Sequence, residues 1–132
     1  MQEISPSIFK AYDIRGEYPA EFNVSVAKEI VKGLSLSVFN KKGPIVIAHD
    51  ARNSSESIYK GIIKELGGRE IIKIGPATTP MFYFFVTERK AVGGIMITAS
   101  HNPPNWNGFK IVGVKAGPIN GFDVKQALKK NE

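Results

Sequence analysis

Residues 45–74 read IVIAHDARNSSESIYKGIIKELGGREIIKI, and the alternation within this stretch decides the fold class. Ile45-Val46-Ile47-Ala48 is a short continuous apolar run entered from the turn pair Gly43-Pro44, the pattern of a strand buried on both faces. Asn53 and Glu56 then stand at capping-box spacing, and Ile58, Tyr59, Ile62, Ile63 and Leu66 follow on one helical face. Gly67-Gly68 stops that helix, and residues 70–74 read as the next strand, closed by Gly75-Pro76. Strand, helix and strand in this order make a βαβ unit, which joins parallel neighbours.

The same alternation extends in both directions. Residues 23–38 place Val24, Ala27, Ile30, Val31, Leu34 and Val38 at helical spacing behind Asn23 as N-cap. Thr79-Pro80 reads as a cap with proline at the first helical position, opening a short helix over residues 81–89. Residues 93–97 form a third strand, residues 109–112 a fourth, and residues 122–130, carrying Val124, Ala127 and Leu128, a terminal helix. The expected fold is one α/β domain over residues 1–132, a three-layer α/β/α arrangement around a mostly parallel, mixed sheet.

Composition agrees with that class. The chain has 132 residues, 42% hydrophobic and 23% charged, the balance of an ordinary folded domain. It contains no Cys, which excludes disulfide scaffolding, thiolate metal sites and a cysteine nucleophile. The start, Met1-Gln2-Glu3-Ile4-Ser5-Pro6, lacks the basic and apolar regions of a signal peptide. No apolar run approaches the length of a membrane helix, so a cytoplasmic protein is expected. The net charge of +6 raises two classes of partner, nucleic acid and small anions. Lys28, Lys32, Lys60, Lys64, Lys125 and Lys129 fall on expected helix faces, where they solvate the surface rather than form the stripe of a nucleic-acid binder.

Ligands of open α/β sheets collect beyond the carboxyl ends of the strands. The loop there after Ile97 reads Thr98-Ala99-Ser100-His101-Asn102-Pro103-Pro104-Asn105-Trp106-Asn107-Gly108-Phe109-Lys110. It gathers a hydroxyl, an imidazole, several amides and an ammonium, and its paired prolines stiffen the backbone so that Ser100 is expected in a fixed, exposed geometry. The same residue types also serve as plain turn formers. The G-x-S-x-G elbow, the nucleotide P-loop and the G-x-G-x-x-G fingerprint are all absent. His101 directly follows Ser100, a poor arrangement for a nucleophile and its base. His49 and His101 are the only histidines and lack metal-ligand spacing.

The stretch Thr98 to Lys110 resembles the active-site serine loop of the α-D-phosphohexomutases, the phosphoglucomutase and phosphomannomutase family. Phe9-Lys10-Ala11-Tyr12-Asp13-Ile14-Arg15-Gly16 resembles that family's N-terminal signature, and Ala48-His49-Asp50-Ala51-Arg52-Asn53-Ser54-Ser55 its G-x-D-x-R-x-S segment. Thr78-Thr79-Pro80 also fits, so the similarity runs in order along nearly the whole chain. The Tyr12–Arg15 segment and the double proline Pro103-Pro104 are closer to the phosphomannomutase/phosphoglucomutase branch than to phosphoglucosamine mutases. Ala48 stands where the family commonly has Gly.

The resemblance implies the fold of a phosphoglucomutase first domain. It also implies a phosphoserine at Ser100 that moves phosphate between C1 and C6 of a hexose through a hexose 1,6-bisphosphate. Glucose or mannose phosphates would be the substrates. Positioning and charge neutralisation dominate such phosphoryl transfers. By the same resemblance Lys110 is the general acid/base and His101 a secondary proton-transfer group. Arg15 contacts the phosphoserine, Tyr12 positions substrate (the alternative being a half-buried core aromatic), and Asn102 belongs to the phosphate loop. Asp50 and Arg52 are expected to form an ion pair near the loop. Mg2+ would be held through the phosphate on Ser100, its remaining ligands lying outside this chain. Such enzymes have four domains, and the aspartate-rich metal loop, sugar-recognition loop and C-terminal phosphate loop are missing here. The expectation is therefore the first domain of a phosphohexomutase, nearly inactive alone, with the remaining domains as partners and neither nucleic acid nor membrane. The competing class is a basic module that binds nucleic acid or another polyanion.

Overall fold

Apolar residues in the strands alternate between two covering layers, and that alternation organises the computed structural model, which describes residues 3–130. Met1 and Gln2, part of the start read above, and Asn131 and Glu132, the end of the expected domain, lie outside the described residues. The strands are β1 (Ile14–Glu17), β2 (Ile45–His49), β3 (Ile71–Pro76), β4 (Gly93–Ile97), β5 (Trp106–Val112) and β6 (Pro118–Ile119). The helices are α1 (Val24–Ser35), α2 (Ser55–Glu65), α3 (Thr79–Glu88) and α4 (Gly121–Lys130). The strand order is β1-β5-β4-β2-β3, with β6 paired to the far end of β5.

The sheet is mixed. β2 runs parallel to both β3 and β4, as βαβ connections through α2 and α3 require. β5 is antiparallel to β4, β1 and β6. Ile45, Ile47, Ile95, Ile97, Phe109 and Ile111 pack in one core with α1, α2 and α4. Their strand neighbours Val46, Ala48, Met96 and Val112 pack in a second cluster with Phe82 and Val86 of α3. Ala48, the departure from the family pattern, is fully buried there, so the extra methyl is accommodated.

Several boundaries differ from the sequence expectations. α1 ends at Ser35 rather than running on to residue 38, because the Ser37 hydroxyl donates to the Gly33 carbonyl and the Phe39 N–H to that of Leu34, unwinding the last turn. Its start is as expected, with the Asn23 side chain accepting from the Val26 N–H at 2.9 Å. Asn53 does not cap α2: Ser54 occupies the cap position and makes no cap bond, its hydroxyl accepting instead from Asn107. The cap of α3 is Thr78, one residue earlier than read, with Thr79 and Pro80 opening the helix. β3 continues through Gly75-Pro76, because a register shift opposite Ile47/Ala48 places Gly75 at φ 74°, a left-handed conformation that glycine takes without steric cost. α4 begins at Gly121, and β5 begins at Trp106. β1 and β6 were not expected at all.

Candidate active site

The loop from β4 to β5 is shaped by its own backbone and by one arginine from the β2–α2 connection. The Asp50 N–H donates to the Ile97 carbonyl at 3.0 Å, tying the two connections together where their strands end. Asp50 then fixes its neighbours: Oδ1 accepts from the Ser55 hydroxyl at 2.6 Å and the Arg52 N–H at 3.0 Å, while Oδ2 accepts from Arg52 Nε at 3.1 Å. The expected Asp50–Arg52 ion pair is therefore present. Arg52 also reaches the serine loop. Its Nη2 donates to the Ser100 and Asn102 carbonyls, at 2.8 and 2.9 Å. Its Nη1 donates to those of Pro103 and Trp106, at 2.6 and 3.2 Å.

Ser100 sits in this loop with φ 56°, a region that residues with a Cβ rarely adopt and that costs of order 1–2 kcal/mol. Its N–H donates to Thr98 Oγ1 at 3.0 Å. Its own Oγ is buried without a hydrogen-bond partner. Ser100 is only partly buried as a residue, but its hydroxyl is covered rather than exposed, against the expectation from the loop sequence. The paired prolines contribute through the Pro103 carbonyl that Arg52 holds, not through rigidity alone.

Arg15 and Lys110 are brought to one face of the sheet. In the β1–β5 register Arg15 lies opposite Gly108, and side chains two apart on a strand share a face, so Lys110 follows Arg15 on that side. Gly108 is the junction. Its carbonyl accepts from the Thr98 N–H at 2.9 Å, and a Cβ there would collide with the Ile14 carbonyl. Only glycine lets β1 close on β5 at this point. Lys110 is half-buried and has no side-chain partner among the described residues.

Arg15 has a partner that the sequence reading did not name. Asp13, 4% exposed, places Oδ1 2.7 Å from Arg15 Nε. Neither atom makes an aligned hydrogen bond, so the contact is an ion pair that leaves the guanidinium fork unfilled. Asp13 lies in the bend that leads into β1, and the turn there brings its carboxylate back onto Arg15. Asn107 is the other omission: fully buried, it donates to the Ser54 and Ser55 hydroxyls at 2.7 and 3.0 Å, and its Oδ1 accepts from the Gly108 N–H.

The remaining candidates stand apart. Tyr12 is 83% exposed, which overturns the half-buried core alternative. Its segment is held by the Lys10 N–H on the Asp13 carbonyl and the Gly121 N–H on the Lys10 carbonyl. His101 is exposed. The Asn102 amide donates to the Ala99 carbonyl at 2.8 Å and shapes the loop. Among the described residues no group of three or more His, Cys, Asp or Glu could hold a metal ion. No described helix is long and apolar enough to cross a membrane.

Comparison with known proteins places this arrangement in a family. The profile described as phosphoglucomutase/phosphomannomutase, alpha/beta/alpha domain I, matches residues 6–131. A phosphohexose mutase of Xanthomonas campestris is 44% identical over 113 residues, covering 84% of this chain and 25% of that protein. A phosphomannomutase of Klebsiella pneumoniae is 39% identical over 130 residues, covering 94% of this chain and 82% of its own length. A phosphoglucosamine mutase of Prochlorococcus marinus is 36% identical over 126 residues, covering 94% and 26%. A solved structure of a phosphoglucomutase/phosphomannomutase family protein from Burkholderia thailandensis superposes with a TM-score of 0.86 at 32% identity, covering 98% of this chain and 30% of that one. Apart from the Klebsiella protein, the chain spans about a quarter to a third of these relatives. The chain belongs to the phosphoglucomutase/phosphomannomutase family and matches its α/β/α domain I.

Proposed function

We propose that this chain supplies the phosphoserine wall of a phosphohexomutase, which moves phosphate between C1 and C6 of glucose or mannose through a hexose 1,6-bisphosphate. The observation that carries the reading is Ser100: a buried, unpartnered hydroxyl on a left-handed backbone beyond the carboxyl end of a central strand. A hydroxyl held in that way by turn chemistry alone would have found a hydrogen-bond partner.

In this reading phosphorylated Ser100 donates to a sugar hydroxyl. The bond from phosphorus to the serine oxygen breaks as the bond to the sugar oxygen forms, and the serine oxygen leaves to be protonated. Lys110, as general acid/base, takes the proton of the attacking hydroxyl as the serine oxygen takes one up, so that no net proton is gained or lost. Arg15, its fork unfilled by Asp13, offers two donors to phosphate oxygens on the same face. Return of the other phosphate to Ser100 regenerates the starting state. His101 would assist proton transfer, Tyr12 would position substrate and Asn102 would hold the loop. Mg2+ would neutralise the phosphoryl charge. The described residues lack the carboxylates to bind it, so this chain offers only the phosphate on Ser100 as a ligand, and further domains would supply the rest. The chain by itself would then be nearly inactive in turnover, leaving a single slow transfer onto Ser100 as its measurable chemistry. The alternative of a polyanion-binding module draws no support from the family match.

Incubation of the chain with glucose 1,6-bisphosphate and Mg2+, followed by intact-mass and peptide analysis, tests the reading. One phosphate on Ser100 is expected, and modification at another residue would overturn it.

A further inference from the structure

The guanidinium of Arg52 has five N–H groups, and the structure gives each of them an acceptor: Asp50 Oδ2 and the carbonyls of Ser100, Asn102, Pro103 and Trp106. One donor serves the local ion pair, and four leave it for a loop 48 to 54 residues away in sequence. Four carbonyl dipoles converging on one point repel each other unless a cation fills the centre. A planar fork with fixed donor directions fills it, and a lysine ammonium, with three donors, does not. The fork is itself held. Asp50 fixes Nε, and the second oxygen of that carboxylate is fixed by the Ser55 hydroxyl and the Arg52 N–H. The Arg52 side chain is only 12% exposed, so water competes weakly for its donors.

Ser100 is where this network meets the chemistry. Its N–H is pinned to Thr98 Oγ1 and its carbonyl to Arg52 Nη2. With both flanking peptide planes held, the left-handed φ is imposed from outside, and the direction of Cβ and Oγ follows from it. We propose that Arg52 is a positioning residue for Ser100: it imposes the strained backbone that aims the serine hydroxyl and thereby sets its rate of phosphoryl exchange. The second half of this inference rests on the function proposed above; the first half does not.

Arg69 is the internal control. It too bridges carbonyls, donating to those of Phe39 and Lys41 and to the Ser35 hydroxyl, but away from the serine loop. The test uses the 132-residue chain carrying Arg52→Gln, Arg52→Lys or Arg69→Gln, with two readouts. Backbone chemical shifts and the coupling constant at Ser100 report the left-handed conformation. Ser100 phosphorylation, followed against glucose 1,6-bisphosphate concentration with Mg2+, separates the saturating rate from the half-saturating concentration.

Both Arg52 variants are expected to lose the left-handed signature. Their saturating rate should fall about 100-fold while half-saturation moves less than about 3-fold. Arg69→Gln should lower thermal stability and leave both readouts at Ser100 unchanged. In a further variant, Arg52→Gly, guanidinium ion at non-denaturing concentration should restore part of the rate. The inference is overturned if folded Arg52 variants keep the signature and rate, if the loss lies entirely in half-saturation, or if Arg69→Gln slows Ser100 equally. Should Arg52→Gln fail to fold, Arg52→Lys carries the same comparison. If the unaltered chain takes no phosphate on Ser100, the functional reading fails separately. The conformational readout then decides the clamp: a signature lost with Arg52 and kept with Arg69 supports it, and one kept in both refutes it.

Discussion

The two faces of the sheet are built to different standards. On one, α1, α2 and α4 cover the strands out to β1, so that Ile14, Asn107, Phe109 and Ile111 are all buried. On the other, α3 packs over Val46, Ala48, Met96 and the Val112 end of β5, and the rest of the outer strands shows Arg15, Glu17, Trp106 and Lys110 partly or fully exposed. The fully covered face defines the fold. The half-covered face leaves Arg15 and Lys110 on the side of the serine loop, where the substrate of the proposed reaction would approach.

Adjacent residues on β4 give the strongest test of that contrast. Ile95 faces the three-helix layer and Met96 faces α3. Ile95→Ala should cost about 4 kcal/mol and Met96→Ala about 2, because the thinner, more adaptable side relaxes around the lost atoms. Urea denaturation midpoints measure both, and equal losses would mean the faces are equally rigid. Gly108→Ala should come next, at about 2–3 kcal/mol, since the added methyl must push the Ile14 carbonyl away. The same melts should be read together with hydrogen exchange, which is expected to rise in β1 before the rest of the sheet. Lys110→Met, on the open half, should change stability by less than about 0.5 kcal/mol while removing the proposed proton acceptor. A large loss of stability would show that the open half carries the fold after all.

The smallest effect concerns Glu21. The Glu17 N–H it accepts, then the Ser7 hydroxyl, and finally the charge of Lys10 hold its carboxyl below the usual glutamate value, outweighing slight desolvation. A folded-state value lowered in this way gives stability that is present above the unfolded value of about 4.3 and fades as pH falls through the folded one. Glu21→Gln should therefore be slightly less stable than the parent at neutral pH and indistinguishable from it in strong acid. A difference that persists in acid would assign the effect to packing.

Legibility followed the same division. Ile45–Ala48 and Gly93–Ile97 could be read because strands buried on both faces are continuous apolar runs, and α1 because Asn23 caps a regular stripe. β1 could not: in Ile14-Arg15-Gly16-Glu17 only alternate residues are apolar or small, over four positions, too short a run to show a period. β6 is a pair of residues whose pairing with β5 is purely tertiary. At the site, Ser100, Arg15 and Lys110 were visible as residue types in a suggestive order. The hydroxyl's burial and the reach of Arg52 were not, because the acceptors of Arg52 are backbone carbonyls, which every residue carries and no side-chain pattern encodes. Asn53 reads as the cap of α2 from its spacing to Glu56, whereas Ser54 holds that position with its hydroxyl engaged by Asn107, 53 residues away and invisible to local spacing.

Those long separations bear on when the site comes into being. The contacts from Arg52 and Asn107 that shape the serine loop each close a span of about 50 residues, and they can form only after β2 and β4 have found each other in parallel. Such closures are entropically slow steps. The left-handed geometry of Ser100 is therefore a property of the assembled sheet, present only where β2, β4 and the start of β5 are docked together.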